Sequence, residues 1–76
     1  MNNEVLIHFN LNATNHLKDL GIKYEQSHGE LHSIVEDVPY KNGNHPDMNG
    51  IWQDPDIQLC EHYGINYDLV NCIEAV

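Results

Sequence analysis

The sequence predicts a small α+β domain in which a three-stranded antiparallel sheet is covered by one short helix and a C-terminal helix pair. Three features predict it: an alternating apolar strand near the start, a glycine-containing hairpin in the first half, and helix start and stop signals near the end. The predicted strands are 5–10, 22–26 and 30–38, and the predicted helices are 13–20, 55–63 and 67–75. A chain of 76 residues is expected to form a single domain, 1–76, with room for one core.

The first strand is predicted from a strict alternation of side chains. Val5, Ile7, Phe9 and Leu11 share one fully apolar face. The other face, which carries His8, is mixed, as is typical of a sheet with one solvated or lightly covered side.

A short helix and a hairpin are expected next. Asn12 is predicted to cap the helix, and Gly21 is predicted to end it. The three residues Ser27, His28 and Gly29 then separate two extended segments, with the glycine at the position that needs a positive φ. This spacing predicts an antiparallel hairpin.

The C-terminal third contains the strongest capping signals. Asp54 is a suitable N-cap, Pro55 suits the first helical position, and Gly64 is suited to ending the helix. Asn66 is predicted to cap a second helix, with Ile65 packing on Val70 as a hydrophobic staple.

An alternative for this region makes residues 65–74 a fourth strand. The element order would then be β-α-β-β-α-β, a ferredoxin-like order. Alternate residues are weakly apolar in support: Tyr67, Leu69, Asn71 and Ile73. The capping signals favour the helix.

Residues 39–52 are predicted to be a long loop, because they contain two Asn-Gly pairs and two prolines. Loops of this length in small domains often carry function. The aromatic residues Tyr40 and Trp52 are the candidate partner contacts in it, although Trp52 is also suited to anchoring the loop on the core.

The charge balance excludes several functions. The chain has 12 acidic residues against 3 lysines and no arginine, and no lysine follows Lys41. Direct nucleic-acid binding needs clustered cations, so it is not expected, and neither is binding to an anionic membrane. A basic protein surface, or a cation, is what this field attracts.

The leading functional hypothesis is therefore a non-enzymatic acidic protein that presents carboxylates to a basic partner surface, such as that of a nucleic-acid-binding protein. A phage or mobile-element inhibitor that mimics nucleic acid is one such protein. The predicted partner-binding residues are Asp54, Asp56, Glu61, Asp68, Glu74, Trp52 and Tyr40. No catalytic residue and no cofactor are predicted.

The alternative hypothesis is a small metal- or ligand-binding domain that uses the histidines. The chain has six histidines and two cysteines, and a metal site would need three or four of them to converge. The weak candidate ligands are His28, His32, Cys60 and His62. Both cysteines, Cys60 and Cys72, are expected to fill core space.

The expected location is the cytoplasm. The sequence shows neither a basic, apolar leader nor an apolar run near the roughly 20 residues that a spanning helix needs. Because so small a domain has a narrow stability margin, homo-oligomerisation would stabilise it.

Overall fold

The structure is a computed structural model that describes residues 3–37 and 55–76. The predicted loop 39–52, with Tyr40 and Trp52, and the predicted N-cap Asp54 lie outside these residues. The described elements are β1 (Glu4–Phe9), α1 (Thr14–Leu20), β2 (Glu25–Ser27), β3 (Glu30–Glu36), α2 (Pro55–Tyr63) and β4 (Val70–Ala75). Two short 3₁₀ turns, Leu11–Ala13 and Tyr67–Leu69, precede α1 and β4.

The strands of the described chain form one four-stranded antiparallel sheet in the order β2-β3-β1-β4. The prediction of a three-stranded sheet with a C-terminal helix pair is therefore wrong. The helix predicted at 67–75 is a turn followed by a strand. The element order is the β-α-β-β-α-β order of the alternative, with α1 and α2 as the two α-helices of the described residues.

A β-bulge explains why the end of the chain looked helical. Phe9 lies opposite Val70, but His8 lies opposite Cys72, so Asn71 is an extra residue on β4. Val70 and Ile73 consequently pack against the same core although they are three residues apart. That spacing matches a helical face, and here the bulge produces it.

Asn66 does act as a cap, but of a single turn. Its side chain accepts a hydrogen bond from the backbone N–H of Asp68 at 3.1 Å, and the turn ends at Leu69. The first helix differs in a similar way. Asn10, rather than the predicted Asn12, caps the 3₁₀ turn that leads into α1.

The core lies between the helices and one face of the sheet. Ile7 and Phe9 from β1, Leu31 from β3, Leu17 from α1 and Cys60 from α2 are all fully or almost fully buried. Burying an apolar side chain of this size contributes roughly 1.5–3 kcal/mol. The predicted apolar face of β1 thus faces the core through Val5, Ile7 and Phe9, but Leu11, which was predicted to share it, lies in the 3₁₀ turn after β1 and is exposed.

Both helices end in the same way, as predicted from their glycines. Gly21 and Gly64 have φ angles of 72° and 75°. In each case the next isoleucine donates its backbone N–H to a carbonyl five residues back: Ile22 to Leu17 at 3.0 Å, and Ile65 to Cys60 at 2.8 Å. These bonds satisfy carbonyl groups that the helix leaves without partners.

The predicted hairpin is present but tighter than expected. β2 and β3 are joined by the two residues His28 and Gly29, which have φ angles of 53° and 77°. Two consecutive positive φ angles are typical of a type I′ turn, the favoured two-residue hairpin connection. The predicted three-residue connection was one residue too long.

None of the described helices has the length and apolar character needed to cross a bilayer.

Candidate metal centre

The face of the sheet opposite the core carries a group of polar side chains. Successive residues of a strand point to opposite faces, so Leu6 and His8 of β1 point away from the core that Ile7 and Phe9 enter. Their partners on β3 are Ile34 and His32. All four are at least partly accessible to solvent.

His8 and His32 are directly opposite each other in the antiparallel pairing of β1 with β3. Their rings lie edge to face, with centroids 4.8 Å apart. Glu30 precedes His32 by two residues on β3, so it points to the same face. Its Oε1 atom lies 3.3 Å from Nδ1 of His8 and 3.5 Å from Nε2 of His32.

These three side chains, His8, Glu30 and His32, form what we call the triad. Each offers one ligand atom, and the three atoms lie within 4.8 Å of one another. A zinc site with ligands about 2.1 Å from the metal and tetrahedral angles has ligand atoms about 3.4 Å apart. The two distances to Glu30 agree with that spacing.

A second layer of hydrogen bonds holds two triad members in place. Nε2 of His8 lies 3.1 Å from Oε2 of Glu74 on β4, and Nδ2 of Asn71 donates to Oε2 of Glu30 at 2.9 Å. When neutral His8 carries its proton on Nε2, the lone pair of Nδ1 is directed towards the triad. Metal-binding histidines and carboxylates usually have outer partners of this kind.

The two carboxylates set the electrostatics of His8. The hydrogen bond that His8 donates to Glu74 is the largest cause that raises the pKa of His8 above its ordinary value, with Glu30 adding to it and burial opposing it. Conversely, the pKa of Glu30 is lowered, first by the hydrogen bond from Asn71 and then by that from His8. The triad therefore favours an ionised glutamate, and protonated His8 is the form that competes with a bound metal.

Of the four weak candidate ligands, only His32 belongs to the triad. His28 lies in the hairpin turn with Nδ1 at 2.7 Å from the Ser27 hydroxyl, and His62 is exposed on α2 with its ring against Tyr63. Cys60 is buried in the core, and burial raises the pKa of its thiol to about 11, which disfavours the thiolate that binds metals.

Cys72 was expected in the core, but it is exposed. It lies opposite His8 on β4, because the bulge moves it to the face that carries the triad. The sequence-based prediction had therefore put this thiol in the core, whereas it lies on the opposite, open face of the sheet.

The predicted partner-binding carboxylates occupy separate elements. Asp56 and Glu61 lie on α2, Asp68 lies in the 3₁₀ turn before β4, and Glu74 lies on β4 against His8. They do not share the helix pair on which they were placed, because that pair does not form. Asp54, Tyr40 and Trp52 lie outside the described residues, so their role as contacts stays a prediction.

Sequence reasoning missed His8 and Glu30 as ligands. The available signal was weak: His8, His32 and Glu30 all occupy positions away from the apolar face of a predicted strand. Only the register between β1 and β3 brings His8 opposite His32.

Comparisons with protein-family models, with curated proteins and with solved structures give no match to this chain.

Proposed function

We propose that this chain is a small metal-binding domain that holds a divalent first-row transition metal ion through Nδ1 of His8, Oε1 of Glu30 and Nε2 of His32. The observation that supports the proposal most is the convergence of these three atoms from two strands. The hypothesis of a histidine-based metal site thus takes precedence, with a different ligand set from the one predicted.

The ligand chemistry favours zinc or a neighbouring transition metal. Two imidazole nitrogens with one carboxylate oxygen form a donor set used for Zn²⁺ and for non-haem Fe²⁺. Mg²⁺ and Ca²⁺ prefer sites made of oxygen atoms, so they fit this donor set less well. The net charge of −9 also attracts a divalent cation to the surface.

The second layer strengthens the proposal. A bound metal would take the place of a proton on Nδ1 of His8, while Nε2–H continues to donate to Glu74. Asn71 holds one oxygen of Glu30 and leaves the other directed at the histidines. Because these contacts orient the ligands before the metal arrives, less ordering is needed on binding.

Three protein ligands leave at least one coordination position for water or another molecule. The triad lies on the sheet face opposite the core formed with α1 and α2, where His8 and His32 are partly accessible. This is the pattern of a site that exchanges ligands, in contrast to the closed four-ligand sites that serve only structure.

Titration of zinc into the metal-free chain, measured by isothermal titration calorimetry, tests the proposal. One zinc ion is expected to bind per chain. His8→Ala, His32→Ala and Glu30→Gln should each weaken binding by more than the roughly 10–100-fold that loss of an outer partner costs. His62→Ala is the matched control, because His62 is exposed on α2, away from the triad.

Two outcomes of this titration would contradict the proposed ligand set. Zinc affinity that is unchanged in all three triad variants would refute the proposal. Loss of binding in His62→Ala would instead support the ligand set first predicted from the sequence.

A further inference from the structure

A cavity of about 670 Å³ opens on the same sheet face as the triad. Its apolar walls include Leu6, Ile22 and Ile34, and His32 contributes to its lining. Charged residues of both signs, Lys23 and Glu25, also line it. Its volume lies within the range of roughly 300–1,000 Å³ that is typical of small-molecule sites.

We propose that this cavity binds a small monocarboxylate with an aromatic or branched aliphatic body, and that the carboxylate occupies the open position of the metal. This inference rests on the proposed metal centre and adds the class of ligand that the centre takes. The carboxylate end contacts the metal, and the apolar end lies against Leu6 and Ile34.

His32 connects the two sites. It is a member of the triad and also lines the cavity, so the two sites share one side chain. A ligand in the cavity therefore lies beside one of the proposed metal ligands. With three protein ligands in place, the metal has a position for one more oxygen.

Charge complementarity selects a carboxylate and makes its binding depend on the metal. The chain carries a net charge of −9, so the metal-free surface repels anions. Among the lining residues that the structure describes, Lys23 carries a permanent positive charge, and a divalent metal adds a stronger one. Glu25, on the same lining, disfavours ligands with a second negative charge.

The apolar walls select a ligand with an apolar body. Leu6 and Ile34 are paired across β1 and β3, and Ile34 has 57% of its surface exposed. Covering such a side chain removes apolar surface from water, which favours binding. Acetate, which lacks an apolar body of this size, should gain little from these walls.

The test uses benzoate and acetate as probes of the zinc-loaded chain, with binding followed by NMR chemical shifts. Zinc-loaded protein should bind benzoate saturably and at least tenfold more tightly than acetate. Zinc-free protein should show no saturable binding of benzoate.

Ile34→Thr tests the cavity while keeping a β-branched residue in the strand. It should weaken benzoate binding at least fivefold and leave zinc and acetate affinities within twofold. Leu11→Thr is the matched control, because Leu11 is also an exposed apolar residue (46%) but does not line the cavity. Its benzoate affinity should equal that of the unmodified chain.

Zinc affinity is measured first, so the two proposals fail in different ways. If zinc binds at the triad but benzoate binds no better than acetate, the cavity proposal is wrong and the metal centre stands. Equal losses of benzoate affinity in Ile34→Thr and Leu11→Thr would also overturn it, as would saturable benzoate binding without zinc. If zinc does not bind, both proposals fail.

Discussion

Asn71 donates a hydrogen bond to Glu30 at 2.9 Å, although the two residues are 41 positions apart in the chain and lie on strands that are not neighbours. β1 lies between them, so the contact crosses His8 on the open face. The bulge that supplies Asn71 as an extra residue thus also orients a proposed metal ligand. Bulges often re-aim side chains next to functional sites.

Asn71→Ala should weaken zinc binding by roughly 10–100-fold, the usual cost of removing an outer partner of a metal ligand. The fold should be retained, because the side chain of Asn71 is exposed. Calorimetric zinc titration gives the affinity, and circular dichroism checks the fold. Asn15→Ala, at an exposed position of α1, is the control. Equal zinc affinities in the two variants would show that Asn71 does not orient Glu30.

The stability of the zinc-free chain should depend on His8 in a defined pH range. Glu74 is the main cause that raises the pKa of His8 above 6.5 in the folded state. Protonated His8 therefore stabilises the fold fully below pH 6.5, and this stabilisation is lost as the pH rises through the higher folded-state pKa. The pKa of Glu30 is lowered below 4.5 in the folded state. Ionised Glu30 therefore stabilises the fold fully above pH 4.5, and this stabilisation is lost as the pH falls through the lower folded-state pKa. Both effects are fully present between pH 4.5 and 6.5.

The measurement compares melting temperatures of the unmodified chain and Glu74→Gln with zinc absent. The unmodified chain should have its largest advantage near pH 6, and that advantage should shrink at pH 8 and above. Glu4→Gln, on the same strand as His8, is the control for lost charge alone. The zinc affinity of the unmodified chain should instead rise with pH, because imidazole must be neutral to bind metal. A pH-independent difference would contradict the role assigned to Glu74.

Gly64→Ala should lower the free energy of unfolding by about 1–2 kcal/mol, because alanine resists the left-handed conformation. Gly64 has a φ of 75°, and an added Cβ would lie 3.5 Å from Cδ2 of Leu20, so backbone strain rather than a clash is the cause. Urea denaturation measures the loss. Gly64→Asn should cost less, since asparagine tolerates this region better. Equal losses of unfolding free energy in Gly64→Ala and Gly64→Asn would indicate that the left-handed conformation of residue 64 does not cause the destabilisation.

Binding to a basic partner stays a separate prediction, and it depends on Glu61 and Asp68, which are exposed on α2 and in the turn before β4. Their double neutralisation to Gln and Asn should slow association with a basic partner and reduce its salt dependence, because exposed charge mainly sets the rate of encounter. A salt-dependent pull-down followed by kinetic measurement tests this. The control neutralises Glu4 and Asp19 instead. Binding that is indifferent to salt would leave the acidic surface as a solubility feature.

Local patterns were sufficient for most of the described elements. The alternation around Ile7 predicted β1 and its buried face, and the glycines predicted where both helices end. Pro55 correctly marked the start of α2. These features depend on residues close together in the chain, so one segment contains all the information that they need.

The fourth strand and the metal centre depend on contacts between distant segments. Asn66 caps a helix-like turn whether a helix or a strand follows, so the local signal could not separate the two, and pairing with β1 decided for the strand. In the same way, local spacing drew attention to His28 and His62, while the sheet register placed His8 opposite His32. The sequence by itself determined which face of β1 enters the core and which face carries His8. Only the pairing of strands determined which polar side chains meet, because register depends on the combined packing of segments that are far apart in the chain.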